Sequence, residues 1–146
     1  MYFPRQTPFK PPLIQHNKLF DSDIMKFLLD ANFLMIPGKF KVDIFRELEK
    51  FGKPELYTLD SVAKELAKVS KGKGRDAFYA KFGLFLVQDK DIGILESQAG
   101  KADSSLLEFS QKGFVVCTQD RLLTSKIVKK GGKVVFLRQG KYLEMK

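Results

Sequence analysis

The chain has 146 residues, of which 44% are hydrophobic and 29% charged, a composition typical of one soluble globular domain. No apolar stretch approaches the roughly 20 residues that span a bilayer. We therefore expect a cytoplasmic protein with no membrane partner. One cysteine and one histidine exclude an internal disulfide, a zinc site built from cysteine and histidine, and a Ser-His-Asp triad in the body of the domain. The 26 Lys and Arg residues exceed the 17 Asp and Glu residues, and the net charge of +9 favours a polyanionic partner such as nucleic acid.

Residues 1–22 are expected to form an extended arm, and residues 23–146 the folded domain. Four of the six prolines lie in the first twelve residues, which excludes a helix or a central strand there. Aromatic and basic residues alternate along the arm: Tyr2, Phe3, Arg5, Phe9 and Lys10. Two roles fit this composition. The arm could pack on its own domain or on a second subunit of a homodimer, or it could stack on unpaired bases of a nucleic acid.

Short apolar runs and helical spacing alternate along the rest of the chain. The apolar runs predict strands at residues 24–29, 56–59, 92–96, 114–118 and 134–137. The helical spacing, with caps and breakers, predicts helices at residues 42–51, 62–69, 76–87, 103–111 and 120–130. Residues 32–41 are expected to be a connection. This alternation predicts an α/β fold with a central, mostly parallel five-stranded sheet and helices on both faces.

Four acidic residues follow four different predicted strands. Asp30 comes directly after the first strand, and Glu65 lies in the helix after the second. Asp103 opens the helix after the third strand, and Asp120 is separated from the fourth by Gln119. Because the carboxyl ends of parallel strands form one edge of a sheet, we expect these acids to meet there.

Clustered carboxylates repel one another, and a divalent cation that prefers oxygen ligands, such as Mg²⁺ or Mn²⁺, relieves the repulsion. Two such ions can activate water for the hydrolysis of a phosphodiester. A structural interpretation of the acids stays open beside this one. Asp103 and Asp120 could act as helix caps, and Glu65 could be an ordinary exposed helix residue. Asp30, at the end of a buried strand, is harder to explain in this way.

The segment LLDANFLM, with Asp30 and Asn32, resembles the opening motif of PIN domains. Three later segments resemble the other motifs of that family: SVAKELAKV with Glu65, AGKADSSLLEFS with Asp103, and VVCTQDRLL with Thr118 and Asp120. The resemblance implies a three-layer α/β/α fold and a Mg²⁺- or Mn²⁺-dependent endoribonuclease. The four acids would be its catalytic metal ligands. Asn32 and Thr118 would orient the first and last aspartates by hydrogen bonding.

A finer resemblance is carried by LDANFLMIPGKFKVDIFRELEKF, residues 29–51, and by GKVVFLRQGKY after the last motif. These segments look most similar to archaeal PIN proteins related to the pre-ribosomal-RNA-processing endonucleases of the small-subunit processome. The similarity implies a ribosomal RNA precursor as substrate and ribosome-assembly factors as partners. Ser104 departs from the pattern, because many relatives carry a further acid there, and Thr124 lies where some PIN proteins add another acid. This departure implies one tightly and one weakly bound metal ion.

A basic loop, SKGKGR, follows the helix that carries Glu65 and is expected to lie near the acidic edge of the sheet. We expect RNA phosphates to be bound there by Lys68, Lys71, Lys73 and Arg75, with the glycines letting backbone N–H groups approach. A solvated, flexible loop is the alternative. A second basic group near the chain end is interpreted at least in part as helix C-terminal charge: Lys126, Lys129, Lys130 and Lys133.

Two other functions stay open at this level. One is a toxin-type PIN ribonuclease of a toxin–antitoxin pair, which needs an antitoxin partner. The other is a catalytically silent RNA-binding subunit of a ribosome-assembly complex. Such a subunit would bind RNA more weakly as salt rises, would not cleave it with any metal, and would be unaffected by Asp30→Asn.

Overall fold

A computed structural model describes residues 23–97 and 102–146. The expected arm, residues 1–22, and residues 98–101 of the third motif region lie outside these ranges. The strands are β1 Ile24–Leu29, β2 Lys53–Leu59, β3 Gly93–Leu95, β4 Phe114–Cys117, β5 Val134–Arg138 and β6 Tyr142–Met145. The helices are α1 Ala31–Leu34, α2 Ile36–Phe40, α3 Ile44–Leu48, α4 Asp60–Ser70, α5 Arg75–Asp89, α6 Ala102–Ser110 and α7 Arg121–Lys129, with a 3₁₀ turn over Glu49–Phe51.

The strands form one sheet in the order β3-β2-β1-β4-β5-β6. The strands from β1 to β5 run parallel, and β6 runs antiparallel to β5. The chain builds outward from β1 to β2 and β3, then returns to the other side of β1 for β4 and β5. The order therefore reverses between β1 and β4, and in open α/β sheets ligands bind at such a switch point, beyond the carboxyl ends of the strands.

The central strands end almost level with one another. Leu29, the last residue of β1, lies opposite both Thr58 and Cys117, and Leu59 lies opposite Leu95. The residues that follow these strands therefore emerge along one edge of the sheet. In β1, Phe27 to Leu29 are fully buried, because the strand is covered on both faces. This burial explains why β1 reads in the sequence as a continuous apolar run.

Two groups of helices complete the three-layer α/β/α architecture that the sequence predicts. In one group α4, α2 and α1 each pack against α5, and in the other α6 and α7 pack against each other, with α6 also on β4 and α7 on β5. Helix α5 runs through Gly83, where a Cβ atom would lie 3.0 Å from the carbonyl oxygen of Leu34. The glycine is needed for this close approach, so it does not break the helix. No helix of the two described ranges is long and apolar enough to cross a membrane.

Two sequence predictions are wrong in detail. Residues 32–41 were expected to be a connection but are mostly helical, in α1 and α2. Pro37 does not prevent this, because it lies in the first turn of α2, where a missing N–H costs nothing. The sheet has six strands rather than five. The missed strand, β6, is only four residues long and is an edge strand with exposed Tyr142 and a charged Glu144. Its pairing with β5 defines it better than its own composition does.

Candidate active site

Asp30 lies at the switch point, between the end of β1 and the start of α1. Its backbone N–H donates to the carbonyl oxygen of Cys117 in β4 at 3.0 Å. Its Oδ1 accepts a hydrogen bond of 2.8 Å from the backbone N–H of Ala31, so the side chain caps α1. The residue is 7% exposed. A carboxylate is therefore held almost out of water at the middle of the sheet edge.

Thr118 connects Asp30 to the fourth motif. This residue is fully buried and follows β4 directly. Its hydroxyl donates to Asp30 Oδ2 at 2.7 Å and accepts from the backbone N–H of Asp120 at 3.1 Å. One side chain thus fixes the carboxylate of Asp30 and the backbone position of Asp120.

Asn32 joins the same two segments from the side of α1. Its Nδ2 donates to Asp30 Oδ2 at 3.5 Å, and its Oδ1 accepts from the backbone N–H of Gln119 at 3.0 Å. The Gln119 side chain in turn bonds the backbone of Leu137, accepting from its N–H at 2.6 Å and donating to its carbonyl oxygen at 3.4 Å. Hydrogen bonds therefore connect this edge of the sheet from β1 to β5. Gln119 belongs to this hydrogen-bonded series and was not predicted from the sequence.

Asp120 caps α7 and is partly exposed. Its Oδ1 accepts from the backbone N–H of Leu123 at 3.1 Å. The capping role that the sequence left open is therefore real. The cap uses only one oxygen, and Oδ2 receives no hydrogen bond from residues in the described ranges, so capping and binding a ligand are compatible.

Glu65 and Asp103 are exposed, on the second turn of α4 and the first turn of α6. Both negative charges act on Asp30. Burial is the main reason why the pKa of Asp30 rises from 3.8 to about 6, and the charges of Glu65 and Asp103 raise it further. The hydrogen bonds from Thr118 and Ala31 act in the opposite direction. Asp30 is therefore a carboxylate whose negative charge is unfavourable in the unliganded protein.

These four acids fit a hard divalent cation by their chemistry. All are oxygen donors, which Mg²⁺ and Mn²⁺ prefer, and a nearby cation would favour the charged form of Asp30. Within residues 23–97 and 102–146, however, no three side chains of Asp, Glu, His or Cys are grouped closely enough to hold one ion together. The structure brings Asp30, Glu65 and Asp103 within electrostatic range and connects Asp120 through Thr118, but does not close the four acids around one point.

A second acid–hydroxyl cluster at this edge was not predicted. Asp60 follows β2 directly and is the first residue of α4. Its Oδ1 accepts from Ser97 Oγ at 2.6 Å, from Ser97 N–H at 3.0 Å and from Ser61 N–H at 2.7 Å. The hydrogen bond from the Ser97 hydroxyl is the main reason why the pKa of Asp60 is lowered. Asp60 therefore ties the carboxyl ends of β2 and β3 together, and its place after a strand, like that of Asp30, was the available sequence signal.

The predicted RNA-binding residues are exposed at the far end of α4 and the start of α5: Lys68, Lys71, Lys73 and Arg75. Helix α4 starts at the site edge with Asp60 and has eleven residues. At 1.5 Å per residue the loop begins roughly 15 Å along the helix from Asp60. The sequence predicts that this loop lies beside the acids. Helix α4 leads away from that edge, so the end of α4 that carries Lys68 lies far from Asp60.

Cys117 is fully buried at the end of β4, as expected of a core residue. Burial also raises the pKa of its thiol well above the usual range. A thiol held neutral in the core is not a nucleophile. Among the residues described, the chemistry of this edge therefore rests on carboxylates and hydroxyls.

Comparison with known proteins gives a consistent family. A family model described as "PIN like domain" matches residues 27–140. In sequence, the chain is 28% identical over 127 residues to the protein named ribonuclease VapC4 from Methanocaldococcus jannaschii, covering 82% of this chain and 95% of that one.

Solved structures share the fold. A structure described as the PIN domain endonuclease Utp24 superposes with a TM-score of 0.69 at 20% identity, covering 83% of this chain and 90% of that one. A domain of a functionally unknown protein from Methanocaldococcus jannaschii gives a TM-score of 0.55 at 14% identity, covering 78% of this chain and 91% of that one. At these identities the likeness concerns the fold alone.

Proposed function

The chain belongs to the PIN-like domain family, and on this premise we propose that it is a metal-dependent endoribonuclease that hydrolyses RNA phosphodiesters in the processing of ribosomal RNA precursors. The observation that carries the proposal is the hydrogen-bonded series from Asp30 through Thr118 to Asp120 at the switch point of the sheet. A buried carboxylate held in this way, with two further acids acting on it, is costly for stability and is typical of a functional site.

The acids divide into a fixed part and an adjustable part. Asp30 is held by Ala31 and Thr118, so its carboxylate has one orientation. Glu65 and Asp103 are exposed on helix surfaces, and their side chains can adjust to a ligand. A Mg²⁺ or Mn²⁺ ion held by these residues and Asp120 would act as a Lewis acid that polarises the phosphate and makes an attacking water easier to deprotonate. Thr118 and Asn32 are positioning residues, because they contact the acids rather than the site of reaction.

RNA is supported as the substrate by charge and by kinship. The net charge of +9 favours a polyanion, and the relative VapC4, matched over 95% of its length, is named a ribonuclease. Internal cleavage is part of the proposal by analogy alone, since the chain shares only its fold with the structure named as the endonuclease Utp24. The role in ribosomal RNA processing rests on the sequence resemblance of residues 29–51 and of the segment after the last motif.

The match to ribonuclease VapC4 favours a second candidate, a toxin-type PIN ribonuclease of a toxin–antitoxin pair. The two candidates share the chemistry and differ in substrate and partner. A ribosomal RNA nuclease would cut precursor RNA at few positions and would associate with assembly factors. A toxin-type nuclease would cut other RNAs as well and would be silenced by an antitoxin.

The proposal is tested by incubating the purified chain with end-labelled ribosomal RNA precursor fragments and with unrelated structured RNAs of equal length, in Mg²⁺, in Mn²⁺ and in EDTA. Metal-dependent cleavage at discrete positions of the precursor alone supports the processing role. Metal-dependent cleavage of all the RNAs supports the toxin-type candidate. Binding without cleavage in either metal would favour the silent RNA-binding subunit.

A further inference from the structure

A groove of about 840 Å³ lies between α7 and β5, next to the four acids, which do not line it. One wall is a single face of α7, to which Arg121, Ser125 and Lys129 contribute at intervals of four residues. The other wall includes Phe136 and Arg138, which point to the same face of β5 because they are two residues apart. The groove is thus built by two regular elements and has a defined direction.

The groove is strongly basic. Its described lining residues include four cations and no Asp or Glu: Arg121, Lys129, Arg138 and Lys146. Arg138 is paired with Glu144 at 3.2 Å, and the ammonium group of Lys146 lies 5.5 Å from the centre of the Phe136 ring. Arg121 and Lys129 are exposed on the helix wall. These two side chains therefore offer the most available positive charge to an anion in the groove.

The groove opens directly from the candidate active site. Thr118 and Gln119 line it, and Thr118 is the residue that bonds Asp30. Arg121 follows Asp120 in the chain and marks the end of the groove nearest the acids. Lys129 lies eight residues further along α7, roughly 12 Å at 1.5 Å per residue. A ligand that contacts both cations is therefore elongated, with negative charge at more than one point.

We propose that this groove binds the phosphodiester backbone of the RNA strand on one side of the bond that is cut. The proposal rests on the proposed nuclease function and deepens it by assigning the substrate path to the α7–β5 side of the sheet. Contacts from Arg and Lys to phosphates fix the register of a strand without reading its sequence. Helix α7 thus has two functions: its N-terminus carries Asp120, and its face guides the strand.

The test is RNA binding by a double variant, Arg121→Ala with Lys129→Ala. The matched control is Lys81→Ala with Lys90→Ala, which removes the same charge from exposed positions in α5 and at its end, in the other helix group. A second pair, Arg121→Lys with Lys129→Arg, keeps the groove charge. Binding of a fluorescent single-stranded RNA in EDTA is followed by anisotropy at several salt concentrations, and thermal melting verifies that each variant is folded.

The groove variant is expected to bind on the order of tenfold more weakly, with a plot of log affinity against log salt shallower by roughly 1.4 for two lost contacts. The control and the charge-conserving pair are expected to bind like wild type. If the folded groove variant binds like the control while wild type binds and cleaves RNA, the groove assignment is wrong and the nuclease function stands. If wild type neither binds nor cleaves RNA, both proposals fail.

Discussion

The hydroxyl of Thr118 donates a 2.7 Å hydrogen bond to Oδ2 of Asp30, a residue 88 positions earlier in the chain. Both residues are buried, and they follow the two strands between which the sheet order reverses. The same hydroxyl accepts the backbone N–H of Asp120. A single oxygen atom therefore connects the first and last acids of the site, and this relation is the basis of the first prediction.

Thr118→Val keeps the shape of the side chain and removes this hydroxyl. We expect cleavage to fall roughly 10- to 100-fold, as is usual when a partner of a metal-binding side chain is lost, and stability to fall by about 1–3 kcal/mol because a buried acceptor loses its donor. Thr118→Ser keeps the hydroxyl and should restore most of the activity. Single-turnover cleavage and urea unfolding measure the two effects. Equal activity of the Val and Ser variants would contradict the positioning role.

The buried charge of Asp30 predicts an unusual pH dependence of stability in metal-free protein. The pKa of Asp30 in the folded protein, about 6, is above the ordinary value of 3.8, so the folded state binds the proton more tightly. Protonated Asp30 therefore contributes to the free energy of unfolding. This contribution is fully present below pH 3.8 and is lost as pH rises through 6. Asp30→Asn avoids this loss and should be more stable than wild type by up to about 3 kcal/mol at neutral pH.

Denaturant unfolding of both proteins in EDTA across this pH range tests the prediction. The stability difference should shrink as pH falls below the folded pKa. If Asp30→Asn is less stable than wild type at neutral pH, and the difference does not depend on pH, the buried charge of Asp30 does not destabilise the fold. The expected variant combines higher stability with lost activity, a common trade at functional sites.

Divalent metal should raise the melting temperature of wild type through the same residue. A ligand that binds only the folded state stabilises it by about 2.7 kcal/mol at a concentration one hundred times its dissociation constant. Mn²⁺ should therefore raise the melting temperature of wild type and have a much smaller effect on Asp30→Asn. Differential scanning fluorimetry with and without Mn²⁺ measures this, with Ca²⁺ as a comparison. Equal shifts for both proteins would place the metal elsewhere.

Asp60 is predicted to do more than stabilise the start of α4, because it also holds Ser97, which follows β3. Asp60→Ala should cost about 1.5–4.5 kcal/mol, the sum of three hydrogen bonds worth about 0.5–1.5 kcal/mol each. The matched control is Asp43→Ala, which removes a cap of α3 alone and should cost about 1 kcal/mol. Urea unfolding measures the free energy of unfolding of both variants. Equal losses in the two variants would show that Asp60 stabilises only the start of α4.

The order of the elements explains why much of this structure could be predicted from sequence. Strands β1 to β5 are short apolar runs separated by helical patterns, and parallel strands joined in this way bring the residues after them to one edge. The placement of Asp30 and Thr118 follows from that rule alone. Their direct hydrogen bond does not, because it depends on β1 and β4 being neighbours, and the neighbours of a strand are not written in its own residues.

The features that the sequence did not predict also depend on contacts between segments that are distant in the chain. Strand β6 is fixed by pairing with β5, and the role of Asp60 depends on Ser97, which lies 37 residues away. The groove depends on α7 lying against β5, and its basic residues come from two elements and the chain end. The SKGKGR loop stands out in the sequence because its charges are adjacent, and it follows the far end of α4. Its binding of RNA stays a prediction.

The most direct measurement is metal-dependent cleavage of a labelled structured RNA by wild type, Asp30→Asn and Asp43→Asn. Asp43 is the control, because like Asp30 it caps a short helix with its side chain but lies outside the acid group. We expect cleavage by wild type and Asp43→Asn in Mg²⁺ or Mn²⁺, none in EDTA, and a loss of about a hundredfold or more in Asp30→Asn. Cleavage by Asp30→Asn at the wild-type rate, or binding of RNA with no cleavage by any of the three proteins, would show that Asp30 is not part of a nuclease site.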